Sequence, residues 1–267
     1  MLTDGLFTGM KQNVLIVTFL VLIIAVACFA QGCGIDARDG ENPENDTVSR
    51  KTSPTIVSNA ADSGQQRNNP MRLGPDTLVS GNAVIVFFQF SNSVILRNVT
   101  DTQGDTFRTC PNLPLNVTGS QVYVGCAIAY NIHGGSTTFQ VNLSGSKTSW
   151  GLVSYVEIGH CPNNCLDASP AGVNIADTGA IGATVNGPSI KTLHVNEIMF
   201  GYAAPNLGEI ALSNGDVGCC VSGVSLAAGD PGAGLSYQVI SSNGTYHAQF
   251  ADTVAHDSMG IISVSVY

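Results

Sequence analysis

The chain has 267 residues, only 11% of them charged, and its formal net charge is -9. After Thr148 a single basic residue, Lys191, stands against nine acidic ones. This part of the chain therefore lacks the lysine and arginine side chains that neutralise phosphates, which argues against nucleic acid or anionic lipid as its partners. The length fits one large folded domain with additional segments.

The N-terminal segment has the pattern of a secretory signal. An uncharged apolar run extends from Val14 to Ala30, with Lys11 before it and small residues after it. The segment Ala30-Gln31-Gly32-Cys33 resembles a bacterial lipobox, and the resemblance implies that Cys33 is lipidated and anchors the protein to a membrane. Simple secretion and a retained membrane helix are the alternatives, because about 17 apolar residues lie at the short end of a spanning helix.

Composition divides the chain into three regions. Residues 1–33 are predicted to be the signal or anchor; Met10 is an ordinary start for it, so we expect residues 1–9 to be an upstream extension. Residues 34–70 are polar and are predicted to form a disordered linker, because they offer too little apolar surface to offset the entropy of ordering. Residues 71–267 are predicted to fold.

The clearest element of the folded region is the apolar run 82–90, which is rich in β-branched and aromatic residues and is bounded by serine, glycine and asparagine. This pattern predicts a strand that is buried on both faces. Further strands are predicted over 94–100, 120–130, 137–144, 150–158, 190–202, 221–226, 235–240, 245–250 and 260–267. In 138–144 and in the last strand, apolar and polar residues alternate, which predicts a sheet with one wet face and a C-terminus built into a sheet.

The series of short strands indicates an all-β fold, since no stretch after Ala30 shows a helical period. We predict an antiparallel β-sandwich and favour the jelly-roll type, because about ten strands in roughly 195 residues exceed one immunoglobulin domain. Two packed immunoglobulin-like halves are the alternative, although the sequence shows no internal repeat in their support.

Several short motifs follow one another in a fixed order. They are Gly81-Asn82, Val99-Thr100-Asp101 with Gly104-Asp105, Ala129-Tyr130-Asn131-Ile132, the strand Thr138 to Ser144, and Tyr155-Val156-Glu157. Together they resemble a domain seen in exported surface proteins of environmental bacteria. The resemblance implies an extracellular β-sandwich and carries no implied activity.

The cysteines are expected to form disulfides. If Cys33 becomes the N-terminus, Cys28 leaves with the signal, and six cysteines remain: Cys110, Cys126, Cys161, Cys165, Cys219 and Cys220. An even set in an oxidising compartment is typical of disulfide bonding. Cys110 with Cys126 is the first expected pair, because one follows a predicted strand and the other lies within the next. Cys161 and Cys165 are expected to close on each other or to reach Cys219 and Cys220.

Two metal sites are open alternatives. His160, Cys161 and Cys165 with Cys219 or Cys220 have the residue types of a zinc site, but their spacing is loose. The segment from Asp101 to Asp105 resembles a fragment of a calcium loop, although a turn in which aspartate and glycine satisfy the backbone is the preferred interpretation. We therefore expect no cofactor, with Ca²⁺ at Asp101 and Asp105 as the alternative.

The motifs of common enzymes are missing from the sequence, which contains no nucleophile elbow, no zinc-protease helix motif and no phosphate-binding glycine loop. A non-enzymatic protein is expected. The enzymatic alternative is a jelly-roll glycoside hydrolase that uses Glu157 and Glu197, provided that these carboxylates face one cleft about 5–9 Å apart.

The aromatic residues point to binding. Trp150, Tyr155 and Tyr202 are predicted to stack on sugar rings, with a place in the core as the alternative for the tryptophan. The sequence thus predicts an exported module, tethered to the cell envelope by a lipid or a helix, that binds glycan or other surface proteins. A structural subunit of a surface layer or filament is a further alternative.

Overall fold

The computed structural model describes residues 53–61, 66, 68–119, 122–145, 150–161, 163–167, 170–206, 210–212, 217–221 and 232–267. The predicted signal or anchor, with Cys33, and residues 34–52 of the predicted linker lie outside these ranges. Within them every regular element is a strand, so the prediction of an all-β, antiparallel fold is confirmed. The same residues contain no helix long and apolar enough to cross a membrane.

The first half of the described chain forms nine strands. They are β1 Thr55–Ala61, β2 Met71–Leu78, β3 Ala83–Ser91, β4 Leu96–Asp101, β5 Arg108–Thr109, β6 Leu115–Val117, β7 Val122–Ala129, β8 Gly135–Leu143 and β9 Gly151–Gly159. The first inner sheet has the order β1-β9-β3-β7-β5, with β6 also paired to β7. The first outer sheet has the order β2-β8-β4.

The second half forms ten strands. They are β10 Ala171–Ile175, β11 Thr184–Asn186, β12 Ile190–Thr192, β13 Glu197–Pro205, β14 Ile210–Leu212, β15 Val217–Val221, β16 Gly234–Ile240, β17 Gly244–Tyr246, β18 Gln249–Asp252 and β19 Met259–Val266. The second inner sheet has the order β10-β19-β13-β16-β15. The second outer layer consists of two small sheets, β11-β18-β14 and β12-β17.

The two halves repeat one topology. In each inner sheet, the first strand of the half lies at an edge beside the last strand, and the remaining strands follow in the same order. No sheet among the described strands combines strands of both halves, while Lys51–Tyr267 forms one compact unit, so the single sandwich across 71–267 stays a prediction. The amino-acid sequence shows no internal repeat, because the two halves share an order of strands and not a pattern of residues.

Three apolar cores lie between the layers. The central core joins the two inner sheets and contains Phe87 of β3 and Tyr202 of β13. The first outer core lies between the first inner and outer sheets, and the second outer core lies on the far side of the second inner sheet. Because successive side chains of a strand point to opposite faces, each inner strand supplies two cores at once.

Most predicted strands are present. The run 82–90 matches β3, whose nine residues are all buried, so the prediction of a strand buried on both faces is confirmed. The predicted strands 190–202 and 245–250 are each broken into two, whereas 222–226 lies outside the described residues. The boundary at residue 71 is corrected, since β1 lies within the predicted linker and pairs with β9.

Candidate functional site

The predicted aromatic platform is not formed. Tyr155 is 2% exposed in the first outer core, and Tyr202 is 0% exposed in the central core. Trp150 is half-buried and packs against the central core. The prediction that these rings stack together on a sugar is therefore corrected: the two tyrosines occupy different cores and neither presents a ring face to solvent.

The two glutamates of the predicted hydrolase pair point in opposite directions. On β9, Glu157 alternates with residues of the central core and shares the face of Tyr155, which is turned toward the first outer sheet. On β13, Glu197 alternates in the same way and shares the face of Met199, which is turned toward the second outer layer. Both inner sheets lie between them, so these carboxylates cannot flank one glycosidic bond.

Glu157 is a structural carboxylate. It is fully buried, and its Oε1 accepts hydrogen bonds from the Val79 backbone N–H at 2.7 Å and from the Asn82 side-chain amide at 2.8 Å. Its Oε2 accepts a hydrogen bond from the Ser58 hydroxyl at 2.6 Å. A buried carboxylate with three donors is satisfied without a ligand, and this one ties β1 and the turn before β3 to β9.

The loop from Asp101 to Asp105 combines a turn with two free oxygens. Oδ1 of Asp101 accepts hydrogen bonds from the backbone N–H groups of Gln103, Gly104 and Asp105. Oδ1 of Asp105 contacts His133 Nδ1 at 2.5 Å. Burial raises the pKa of Asp101; the Asp105 backbone N–H opposes the rise and the Asp105 side chain adds to it. Among the described residues, both Oδ2 atoms are buried without a hydrogen-bond partner.

The cysteines form two disulfides within the described residues. Cys110 bonds to Cys126, as expected, and Cys161 bonds to Cys165, so the loop pair closes on itself. While this bond is formed, Cys161 and Cys165 offer no thiolate to the alternative zinc site. Cys219 and Cys220 lie on β15, and their side chains are not among those that the structure describes.

Sequence reasoning missed a cluster of three ligating side chains. Between β12 and β13 the chain makes a turn over residues 193–196, in which Asn196 adopts a φ of 60°. This turn brings His194 against Glu197, at the start of β13, and against Asp167, which precedes β10. The ligand atoms of the three side chains all lie within 4.8 Å of one another.

Hydrogen bonds to the backbone fix the two carboxylates of this cluster. The Leu193 N–H donates to Asp167 Oδ2 at 2.7 Å, and the His194 N–H donates to Glu197 Oε1 at 2.5 Å. His194 Nδ1 lies 2.8 Å from Asp167 Oδ1. Glu197 Oε2 is buried and has no hydrogen-bond partner among the described residues.

Electrostatics in the cluster disfavour two negative charges. Burial raises the pKa of Glu197 to about 7, and the nearby Asp167 side chain adds to the rise, against the opposing effect of the His194 N–H. The side chains of Asp167 and Glu197 are 1% and 0% exposed, whereas that of His194 is 45% exposed. The imidazole is thus the one member that reaches solvent.

An open cleft lies beside the cluster. It has a volume of about 400 Å³ and is lined by Ser53, Pro54, Leu193, His194, Val195, Asn196, Asn243 and Tyr267. The rings of His194 and Tyr267 stack with centroids 3.9 Å apart and planes 12° apart. Leu193 and Val195 are more than half exposed at its edge. The cleft therefore combines apolar walls, an aromatic face and amide groups.

Comparisons of the chain with protein-family models, with curated proteins and with solved structures found no match. The class of this protein therefore rests on its own fold and on the chemistry of this cleft.

Proposed function

We propose that this chain is an exported, membrane-tethered module that binds a neutral glycan, without catalysis, in the cleft formed by residues 193–196, Asn243 and Tyr267. The observation that carries the proposal is the stacked pair of His194 and Tyr267 in a cleft with exposed apolar edges. Such clefts, mostly apolar with a few polar groups, are the usual form of small-ligand sites.

The finer class of fold is part of the proposal. We infer that each half is a jelly-roll sandwich and that the two pack through their inner sheets. Support comes from the position of the first strand of each half beside the last, as for β1 and β9. An immunoglobulin sandwich instead places its first strand beside its second. In each half, an inner antiparallel sheet packed against an outer layer of antiparallel strands fits the jelly-roll plan.

Export is supported by the two disulfides, because such bonds persist mainly outside the reducing cytosol. The apolar run before Cys33 supplies the signal, and lipidation of this cysteine would supply the tether. Mass spectrometry of the mature N-terminus tests both. A diacylated or triacylated Cys33 is expected, and an unmodified residue beyond it would leave export without the lipid anchor.

The chemistry of the cleft suits a sugar. The Tyr267 ring offers an apolar face to the C–H groups of a pyranose, and the amides of Asn196 and Asn243 offer both donors and acceptors to hydroxyl groups. None of the described residues that line the cleft is a lysine or an arginine.

A glycan array probed with the purified full-length protein tests the proposal. We expect binding to neutral polysaccharides that is lost in Tyr267→Ala and retained in Tyr123→Ala, a half-buried tyrosine on β7 outside the cleft. Equal binding by both variants would place the site elsewhere. Ordered polymers in electron micrographs, without glycan binding, would favour the structural-subunit alternative, and glycan cleavage would favour an enzyme.

A further inference from the structure

Three ligand atoms converge beside the cleft. They belong to Asp167, which precedes β10, and to His194 and Glu197, which are three residues apart at the start of β13; His194 Nδ1 lies 2.8 Å from Asp167 Oδ1 and 3.7 Å from Glu197 Oε1. Each carboxylate accepts a backbone N–H through one oxygen, Asp167 Oδ2 from Leu193 and Glu197 Oε1 from His194. The orientation of both carboxylates is thus set by the fold, as supporting hydrogen bonds commonly do for metal ligands.

The orphaned oxygen indicates what the cluster lacks. Glu197 is 0% exposed, and its Oε2 has no hydrogen-bond donor in the part of the chain that the structure describes. A buried, unpartnered carboxylate oxygen is costly. A second carboxylate, that of Asp167, is close enough to Glu197 to disfavour its charge. A cation at this point would satisfy the free oxygen and neutralise both groups.

We propose that Asp167, His194 and Glu197 bind one divalent transition-metal ion of the zinc type. Imidazole nitrogen and carboxylate oxygen are both ligand types that zinc takes, and its open sites have three protein ligands. Ligand atoms about 2.0–2.2 Å from one ion lie roughly 3–4.4 Å from each other. His194 Nδ1 and Asp167 Oδ1 would therefore move slightly apart from 2.8 Å, whereas the 3.7 Å between His194 Nδ1 and Glu197 Oε1 already fits.

The proton between His194 and Asp167 is the group that the ion replaces. His194 Nδ1 and Asp167 Oδ1 are 2.8 Å apart, a distance that requires a shared proton when the site is without metal. On binding, that proton leaves to solvent and both atoms turn their lone pairs to the ion. Since His194 also lines the cleft, the fourth coordination position would be open to water or to a ligand there.

The proposal goes beyond glycan binding and does not depend on it, because the test contains no glycan. The full-length protein is alkylated with iodoacetamide to block free thiols and is titrated with Zn²⁺ by calorimetry, in competition with a chromophoric chelator. One site per chain is expected. It should weaken at least about tenfold in His194→Ala and in the isosteric Glu197→Gln.

The matched control is His256→Ala. His256 is also an exposed histidine hydrogen-bonded through Nδ1 to an aspartate, Asp177 at 3.0 Å, but this pair belongs to no three-ligand cluster within the described residues. This variant should bind zinc as the unmodified protein does. Absence of a site in the unmodified protein, equal affinity in the cluster variants, or an equal loss in His256→Ala would each overturn the proposal.

A second measurement needs no variant. Co²⁺ bound by nitrogen and oxygen ligands gives weak visible bands, which Zn²⁺ should abolish by displacement. Intense thiolate-to-metal absorption would show that cysteines hold the ion and would overturn the proposal, as would the lack of any Co²⁺ spectrum. Failure of glycan binding with intact zinc binding would reject the proposed function alone.

Discussion

Phe87 and Tyr202 stack across the central core with ring centroids 5.4 Å apart and planes 17° apart. Phe87 lies on β3 of the first inner sheet and Tyr202 on β13 of the second, so this pair joins the two halves. Burial raises the pKa of the Tyr202 hydroxyl, and the nearby Ser154 side chain opposes the rise. The hydroxyl makes no hydrogen bond in the described part of the chain. Because the Tyr202 ring is buried in the central core, it is unavailable to an external sugar.

Removal of the Tyr202 ring should be severely destabilising. Tyr202→Ala leaves a cavity between two sheets that cannot easily close, and we expect a loss of about 3–5 kcal/mol in the free energy of unfolding. Tyr202→Phe keeps the ring and should cost less than about 1.5 kcal/mol. Urea denaturation measures both. An unchanged midpoint in Tyr202→Ala would mean that the ring is not in the core.

Glu157→Gln should lower stability. The amide keeps the shape of the carboxylate but turns one acceptor into a donor, which then faces a donor of Val79, Asn82 or Ser58. The expected loss is about 1–3 kcal/mol, the usual cost of a mismatched buried group. Thermal unfolding monitored by circular dichroism is the measurement. A variant as stable as the parent would contradict the structural role given to Glu157.

Asp252 should make the free energy of unfolding depend on pH. It is 1% exposed; burial raises its pKa from 3.8 to about 6, the Val254 N–H opposes the rise, and the charge of Asp257 adds to it. The folded state binds the Asp252 proton more tightly than the unfolded state does. The contribution of this proton to the free energy of unfolding is therefore fully present below pH 3.8 and is lost as the pH rises through about 6.

Asp252→Asn removes that dependence. We expect the variant to be more stable than the parent by about 1–2 kcal/mol at pH 8 and to show little difference near pH 4. Urea denaturation of both proteins at several pH values gives the difference in their free energies of unfolding. The contributions of the other titrating groups cancel in this difference. A difference that stays constant with pH, or grows toward acid, would be inconsistent with a raised pKa.

The two disulfides should contribute unequally. Replacement of Cys110 and Cys126 by serine opens a loop with a sequence separation of 16, whereas the pair Cys161 and Cys165 closes a separation of 4. Chain entropy then assigns about 3 kcal/mol to the first bond and about 2 kcal/mol to the second. Denaturation of the two double variants should show this order. Equal stability of all three proteins would indicate that neither bond forms.

The fold was predictable where a strand has its own pattern. β3 stands out because β-branched and aromatic residues fill both of its faces, and β8 because Phe139, Val141 and Leu143 alternate with polar residues. By contrast, Thr55–Ala61 contains too few apolar residues to be recognised without its partner β9. Pairing between distant segments is a tertiary property, which local patterns cannot supply.

The candidate site was largely hidden from sequence. Asp167 and His194 are 27 residues apart and meet only through the turn between β12 and β13. One signal was available, since Asn196 is a residue type that tolerates the left-handed conformation it adopts and could have divided the predicted strand 190–202. Tyr155 and Tyr202 were misassigned because strands buried on both faces do not distinguish a core ring from an exposed one.

The most direct test of the cleft is chemical-shift mapping by NMR on isotope-labelled protein, during titration with a neutral oligosaccharide selected from the array. We expect saturable shifts for the amides of residues 193–196, Asn243 and Tyr267, and unchanged amides in the first outer sheet. Shifts confined to any other surface, with the signals of Leu193 and Tyr267 unmoved, would contradict the assignment of this cleft as the binding site.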